Sequence, residues 1–237
     1  MGFRVIEGNI FTTEQQTLVN TVNCVGVMGA GIALEFRLRY PDMYRRYVEI
    51  CKKGQLDIGK LWLVRTPGRW VLNFPTKKHW RYPSKEAYLR QGLEKLAASY
   101  AQKGIYSIAM PLLGADRGGI DPEVSLALIR EYLGVGCDDL DVAVYRYDPA
   151  AKDDLFETFK IRLLSDSSEK IISASGLKAS ALDKLRNALE QESICQLNQM
   201  LQVKGIGLVT LEKAFHYVQS PTADAPDLFM SGFSSAP

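Results

Sequence analysis

The sequence predicts a three-layer α/β/α domain with a mixed, largely parallel central sheet, followed by a small helical region. Three observations carry this. Short apolar β-type runs alternate with amphipathic helical runs through the first 150 residues. Several of those runs are almost continuously apolar, as strands covered on both faces are. Two glycine-rich loops each lead from a strand into a helix, the arrangement found at the carboxyl edge of open α/β sheets.

In chain order, strands are predicted at Phe3–Ile6, Thr17–Val22, Lys60–Val64, Trp70–Asn73, Ile105–Met110 and Asp141–Tyr145. Helices are predicted at Ala30–Arg39, Asp42–Lys53, Lys85–Lys103 and Pro122–Leu133. In the third helix Ala87, Leu89, Leu93, Leu96, Ala97 and Tyr100 recur at helical spacing, and Gly104 supplies the stop. Asp121-Pro122 is an N-cap followed by proline at the first helical position. Pro67-Gly68, between Trp62 and Trp70, reads as a hairpin and makes the sheet mixed. Residues 1–150 are assigned to this domain. From 151 to 219 strand signals fade and a helical region is expected, with helix formers dominating Leu177–Gln191 and continuing to Gln219. Within it Ser165–Ser175, rich in serine and charge, reads as a linker or loop. The stretch Ser220–Pro237, with three prolines and many small residues, reads as a disordered tail.

The apolar and charged fractions, 46% and 24%, belong to an ordinary soluble protein. A net charge of +2 does not mark the whole chain as a polyanion binder, so any such attraction must come from local clusters. Four scattered cysteines without a CxxC pair and only two histidines, His79 and His216, argue against a zinc site. No metal and no cofactor is expected. Scattered thiols, an N-terminus without a long apolar stretch and the lack of any run near ~18 apolar residues lead to the expectation of a cytoplasmic protein with no membrane association.

The first glycine loop, Val25 to Ala33, runs straight into a helix. Gly29 and Gly31 let backbone approach a ligand, and the new helix offers free N–H groups and the positive end of its dipole to phosphate. The same glycines also suit a tight strand-to-helix turn that binds nothing. The second loop, Leu113 to Gly119, has the same context after the strand Ile105–Met110. Two facing loops suit two phosphates, hence a diphosphate. Neither ends in Gly-Lys-Ser/Thr and neither matches GxGxxG, which disfavours an NTPase or a dehydrogenase.

The segments Gly8-Asn9-Ile10, Val19 through Ala33 and Met110-Pro111-Leu112-Leu113-Gly114-Ala115 resemble a macrodomain, the ADP-ribose-binding fold, over roughly residues 3–147. The segment Asn73-Phe74-Pro75-Thr76-Lys77-Lys78-His79-Trp80-Arg81 is similar to macrodomains of the DarG type, DNA ADP-ribosyl glycohydrolases that act as antitoxins to DarT-like toxins. The resemblance implies that Asn9 and Ile10 meet adenine, with Asn9 standing where many macrodomains carry Asp and accepting the exocyclic amine through its carbonyl. It implies that Asn23 faces the distal ribose and that Thr76 is among the ligand-binding residues. Met28, Gly29, Ala30, Gly31 and Ile32 would clasp the diphosphate from one side, and Leu113, Gly114, Ala115, Asp116, Arg117, Gly118 and Gly119 from the other. The pair Asp116-Arg117 departs from a usually glycine-rich stretch.

In the related glycohydrolases a lysine at the position of Lys77 attacks the distal ribose through a Schiff-base-type adduct, which requires an amine with a free lone pair. The expected means of lowering its pKa are the neighbouring cations Lys78 and Arg81 and partial burial under Trp80. Asp116 is the acid/base candidate by motif position. Lys78, His79, Trp80 and Arg81 mix charge with rings, which suits a single-stranded or flipped nucleotide, although His79 and Trp80 equally suit packing beneath a loop. Leu197 to Phe215 resembles a helix-hairpin-helix, whose Gly205 and Gly207 would present backbone amides to DNA. The alternative is a structural helical bundle that docks on the toxin. The expected partners are ADP-ribosylated DNA and a DarT-like toxin. Two other functions stay open: release of ADP-ribose from acidic protein side chains, and binding of ADP-ribose without cleavage.

Overall fold

The computed structural model describes residues 2–220, so the expectation of a disordered tail falls almost wholly outside the described residues. Six strands, β1 (Phe3–Gly8), β2 (Thr17–Asn23), β3 (Trp62–Val64), β4 (Trp70–Lys77), β5 (Ser107–Pro111) and β6 (Asp141–Tyr147), form one sheet in the order β1-β6-β5-β2-β4-β3. All pairings are parallel except the β3–β4 hairpin. Four helices cover it: α1 (Gly31–Arg39), α2 (Pro41–Lys52), α3 (Glu86–Ala97) and α4 (Pro122–Leu133). The fold is the predicted three-layer, mostly parallel α/β/α arrangement.

Strand side chains alternate between the two faces. Val19, Leu72, Ile108, Met110, Val142 and Val144 pack with α3 and α4. Leu18, Val71, Ala109 and Ala143 pack with α1 and α2 around Phe36, Met43 and Tyr47. At Gly92 of α3 a Cβ would lie 2.2 Å from the Phe74 ring of β4, so only glycine lets this helix sit so close to the sheet.

Two boundaries differ from expectation by about four residues or more, for local reasons. Helix α3 stops at Ala97 rather than Lys103. Beyond it the Ser99 hydroxyl donates to the Lys95 carbonyl, and Tyr100 turns into the core ahead of Gly104. Strand β4 continues four residues past Asn73. Strand β3 begins at Trp62 opposite Asn73, so the outer edge of β4 beyond that point has no strand partner and tolerates Pro75, which lacks an N–H. A register shift in β2 between Val22 and Asn23 brings Asn23 opposite Lys77.

The helical region comprises α5 (Asp154–Ser165), α6 (Ser168–Ser175), α7 (Ala179–Leu189), a 3-10 segment (Leu197–Gln202) and α8 (Leu208–Gln219). Helix α6 corrects the expectation of a loop at Ser165–Ser175. The Ser167 hydroxyl accepts from the Lys170 N–H at 3.3 Å, Ile171 is fully buried, and Gly176 closes the helix in the left-handed region. Its single apolar stripe is too narrow to outweigh the serines in a sequence window.

These helices share one core with Leu34 and Leu38 of α1, whose Phe36 belongs to the sheet core. Helix α1 is therefore apolar on more than one side and wedged between two packed layers. A buried ionic latch reinforces the junction: Arg39 of α1 reaches Glu35 at 2.7 Å and Asp153 at 2.9 Å. Asp153 also caps α5 and accepts from the Leu197 N–H at 3.3 Å.

Candidate active site

A cleft of about 730 Å³ runs across the carboxyl ends of β1, β6, β5, β2 and β4. The order of the strands dictates its layout. Gly8 at the end of β1, Asn9, Ile10 and Phe11 after it, and Tyr145 and Tyr147 of β6 stand at one end. The two glycine loops, which leave β2 and β5, stand in the middle. Thr76, Lys77 and Trp80 stand at the other end, at and just beyond the tip of β4.

Asn23 builds the first loop. Its Nδ2 donates to the Val27 carbonyl at 2.6 Å, and its Oδ1 accepts from the N–H groups of Val25 and Val27 at 3.1 and 3.3 Å. The buried Tyr47 hydroxyl donates to the Asn23 carbonyl at 2.6 Å. Asn23 thus lines the cleft, but its amide is committed to holding the loop. Helix α1 then starts at Gly31, and Ala30 provides no side-chain cap. Its first N–H groups are left for a ligand, which supports an anion at this point.

The second loop is closed on itself. Gly119 N–H donates to Ala115 O at 2.9 Å, Ile120 N–H to Gly114 O at 3.0 Å, and Ser84 N–H to Gly118 O at 2.9 Å. A Cβ on Gly118 would lie 2.0 Å from the Gly114 carbonyl oxygen, so this turn admits no side chain there. Asp121 occupies the first amides of α4, accepting from Glu123 and Val124 at 2.8 and 3.2 Å. Groups for a ligand on this side must therefore come from the loop itself.

Lys77 spans the two halves. It lies at the end of β4, and its Nζ donates to the Arg117 carbonyl of the second loop. Partial burial pushes its pKa below the ordinary lysine value; Asp116 opposes this and Arg117 adds to it. Of the expected causes burial is therefore present and the cations are not: Lys78 turns to Asp57 at 3.8 Å and Arg81 stacks 4.8 Å over the Trp80 ring, so neither depresses the Lys77 pKa. Asp116 and Arg117 both line the cleft and are well exposed, 3.8 Å apart.

Of the residues expected at the site, Asn9, Ile10, Asn23, Gly29, Ala30, Gly31, Ile32, Thr76, Lys77, Trp80, Gly114, Ala115, Asp116, Arg117 and Gly118 line one cleft. Met28 and Leu113 do not. Both are fully buried, because the loop beneath each needs an apolar anchor in the core. Gly119 closes its turn from outside the cleft wall. Lys78, His79 and Arg81 stay outside the cleft on the loop that carries Trp80, where the His79 and Trp80 rings stack at 5.6 Å. Gly205 and Gly207 lie in the turn between the 3-10 segment and α8, away from the cleft, with Gly205 against Lys184.

Asn9 also differs from expectation. Its Oδ1 accepts from the Phe11 N–H at 3.0 Å and caps a 3-10 turn, while its buried Nδ2 has no protein partner. The free group is a donor, suited to a ring nitrogen rather than to an exocyclic amine. Glu35, Tyr147 and Asn198 line the cleft without having been anticipated. The position of Tyr147 at the carboxyl end of a parallel strand is a usable signal; Glu35 and Asn198 carry none. Among the described residues no group of three or more His, Cys, Asp or Glu side chains is arranged to hold a metal ion, and no helix is long and apolar enough to cross a membrane.

The family model described as Macro domain matches residues 19–129. The chain is 44% identical over 143 residues to a DNA ADP-ribosyl glycohydrolase of Mycobacterium tuberculosis, a match that takes in 58% of this chain and 40% of that protein. The chain thus spans well under half the length of this curated relative. The solved macrodomain of Mycobacterium tuberculosis DarG superposes with a TM-score of 0.55 at 42% identity, covering 61% of this chain and 98% of that one. Thermosipho africanus DarTG in complex with ADP-ribose superposes with a TM-score of 0.58 at 32% identity, over 62% of this chain and 42% of that one. The curated relative from that organism is a DNA ADP-ribosyl transferase-DNA ADP-ribosyl glycohydrolase fusion protein.

Proposed function

We propose, from the premise that this chain belongs to the macrodomain family, that it is a DNA ADP-ribosyl glycohydrolase with Lys77 as its nucleophile and serves in the cytoplasm as antitoxin to a DarT-like transferase. The observation that carries the reading is the Lys77 amine, partly dehydrated and bonded to the second glycine loop at one end of a cleft whose middle is lined by two phosphate-suited turns. With a diphosphate held between the loops, one sugar falls beside Lys77 and the nucleoside falls at the β1–β6 end, where Asn9 offers a free donor.

The chemistry follows from that placement. The Lys77 lone pair bonds to the anomeric carbon of the distal ribose as the glycosidic bond breaks. The departing base keeps the electron pair of that bond and takes a proton from solvent or from Asp116 acting as the acid. Water then attacks the same carbon and gives one proton to the Asp116 carboxylate or to solvent, the amine leaves with its electron pair, and free ADP-ribose and unmodified base result. Burial of Lys77 serves this directly, because an ammonium cannot attack.

DNA is favoured over a protein substrate by the surface beyond the cleft mouth. Trp80 is 47% exposed and Tyr82 66% exposed, with Lys78 and Arg81 on the same loop, which is suitable for stacking and phosphate attraction along a single strand. The fusion relative, which joins a transferase and a glycohydrolase in one protein, supports the toxin partnership. The test is incubation with an oligonucleotide carrying ADP-ribose on thymidine or guanosine, beside an ADP-ribosylated acidic peptide. Release from the oligonucleotide is expected, with Lys77→Ala lowering turnover at least about 100-fold while binding of ADP-ribose is largely kept. Cleavage of the peptide alone, or equal loss of binding and turnover, would refute the assignment.

A further inference from the structure

The nucleoside end of the cleft is closed by a residue from outside the α/β sandwich. Asn198, in the 3-10 segment Leu197–Gln202, lines the cleft together with Glu35 of α1 and Tyr147 of β6. The Asn198 Nδ2 lies 3.3 Å from Glu35 Oε2 and 3.2 Å from the Tyr147 hydroxyl, and that hydroxyl lies 3.3 Å from Asn198 Oδ1. Glu35 is 3% exposed and is itself held by Arg39, whose second carboxylate partner, Asp153, accepts from the N–H of Leu197 beside Asn198. The amide is therefore oriented from two sides at an edge of the cleft. Nothing in the superposed DarG macrodomain need correspond to it: that match exhausts 98% of the other chain with 61% of this one, and the family model ends at residue 129.

We infer that Asn198 is a specificity-determining residue for the adenosine part of the ligand, so that the helical region supplies a wall of the binding site as well as a docked appendage. This rests on the reading that an ADP-ribosyl group occupies the cleft with its sugar at Lys77. The argument is one of placement and satisfaction. The cleft end opposite Lys77 must receive the nucleoside, whose base edge and ribose hydroxyls carry both donors and acceptors. Asn9 presents there a buried donor without a protein partner, and Asn198 presents an amide whose carbonyl, among the described residues, accepts from the rotatable hydroxyl of Tyr147, a residue 58% exposed. A hydroxyl can turn to bond a ligand while releasing that carbonyl, so the pair adapts without leaving a buried group unpaired. Glu35 holds the Nδ2 side in place and fixes which end of the amide faces the ligand.

The experiment is calorimetric titration of the full chain and of the Asn198→Ala and Tyr147→Phe variants with ADP-ribose, AMP and ribose 5-phosphate. The expected result is a loss of about three- to tenfold in affinity for ADP-ribose and AMP in Asn198→Ala, the size of one hydrogen bond. A smaller loss of the same kind is expected in Tyr147→Phe, and affinity for ribose 5-phosphate, which lacks the adenosine, is expected to stay unchanged in both. Unchanged ADP-ribose and AMP affinity in Asn198→Ala beside normal wild-type binding would overturn this inference and leave the proposed function standing. Equal loss for all three ligands would also overturn it, since that is the signature of structural damage. Failure of the wild-type chain to bind ADP-ribose would overturn the functional reading and this inference with it.

Discussion

Asp153 joins the helical region to the α/β sandwich, and its replacement has a cost that can be worked from the structure. The side chain is 1% exposed. Its Oδ1 accepts from the N–H groups of Leu155 and Phe156 at 3.1 and 3.2 Å and meets Arg39 at 2.9 Å, while Oδ2 accepts from Leu197 N–H at 3.3 Å. Asp153→Ala removes a helix cap worth about 1 kcal/mol and strands a buried N–H at about 1 kcal/mol more. It also takes one of two carboxylates from a buried guanidinium; losing a sole partner costs about 3–5 kcal/mol, but Arg39 keeps Glu35, so only part of that applies. The expected total is about 3–4 kcal/mol. Asp153→Asn keeps the capping oxygen but sheds the charge and sets an NH2 donor against the Leu197 N–H, for about 2 kcal/mol. It also eases Glu35, whose carboxyl is pushed up by burial first and by the Asp153 charge as well. The assay is urea unfolding of the full chain followed by far-ultraviolet circular dichroism. A loss below about 1 kcal/mol for the alanine variant, or equal losses for both, would refute the account of the latch.

Three further outcomes are expected. Turnover should rise with pH as Lys77 loses its proton, and because burial depresses the folded-state pKa the rise should come below the ordinary lysine range; a pH profile that keeps its shape in Lys77→Arg would exclude the amine as its source. Gly118→Ala should distort the second loop, since the new Cβ meets the Gly114 carbonyl, and should lower ADP-ribose affinity at least about tenfold with the helical content unchanged; full affinity would show that the loop does not hold the ligand. Asp141 ties β6 to the β1 end through Arg4 and the Gly2 N–H and to the segment before β2 through Gln15, and the Arg4 guanidinium above all holds its pKa down to about 2. A depressed carboxylate stabilises the fold above its unfolded pKa of about 3.9 and stops doing so as pH falls through about 2. Asp141→Asn should therefore unfold more easily than the wild type at neutral pH, the gap closing in that acid window. A gap that persists at pH 2 would argue against the ion pair.

Much of the architecture was legible because it is encoded locally. Near-continuous apolar runs mark strands covered on both faces, and Asp121-Pro122 marks the start of α4 to the residue. The two glycine loops were readable for the same reason, since their residues are contiguous; Lys77 was singled out by the resemblance of residues 73–81 to DarG-type macrodomains, and parallel topology brings all three to one edge of the sheet. Helix α6 was missed because its burial reduces to a narrow stripe around Ile171 within a serine-rich window.

What only the tertiary structure decided concerns groups whose partners lie far away along the chain. Whether Met28 faces the ligand or the core depends on the packing of α1 and α2 beneath its loop, and no local pattern distinguishes the two. The lowered pKa of Lys77 arises from its burial and from Arg117 forty residues on, rather than from the adjacent cations. Asn198 reaches Glu35 across 163 residues, through a latch formed when two separate cores close on α1. Pattern and propensity are properties of neighbours in sequence; electrostatic surroundings and the far wall of a cleft are properties of neighbours in space, and only folding makes those.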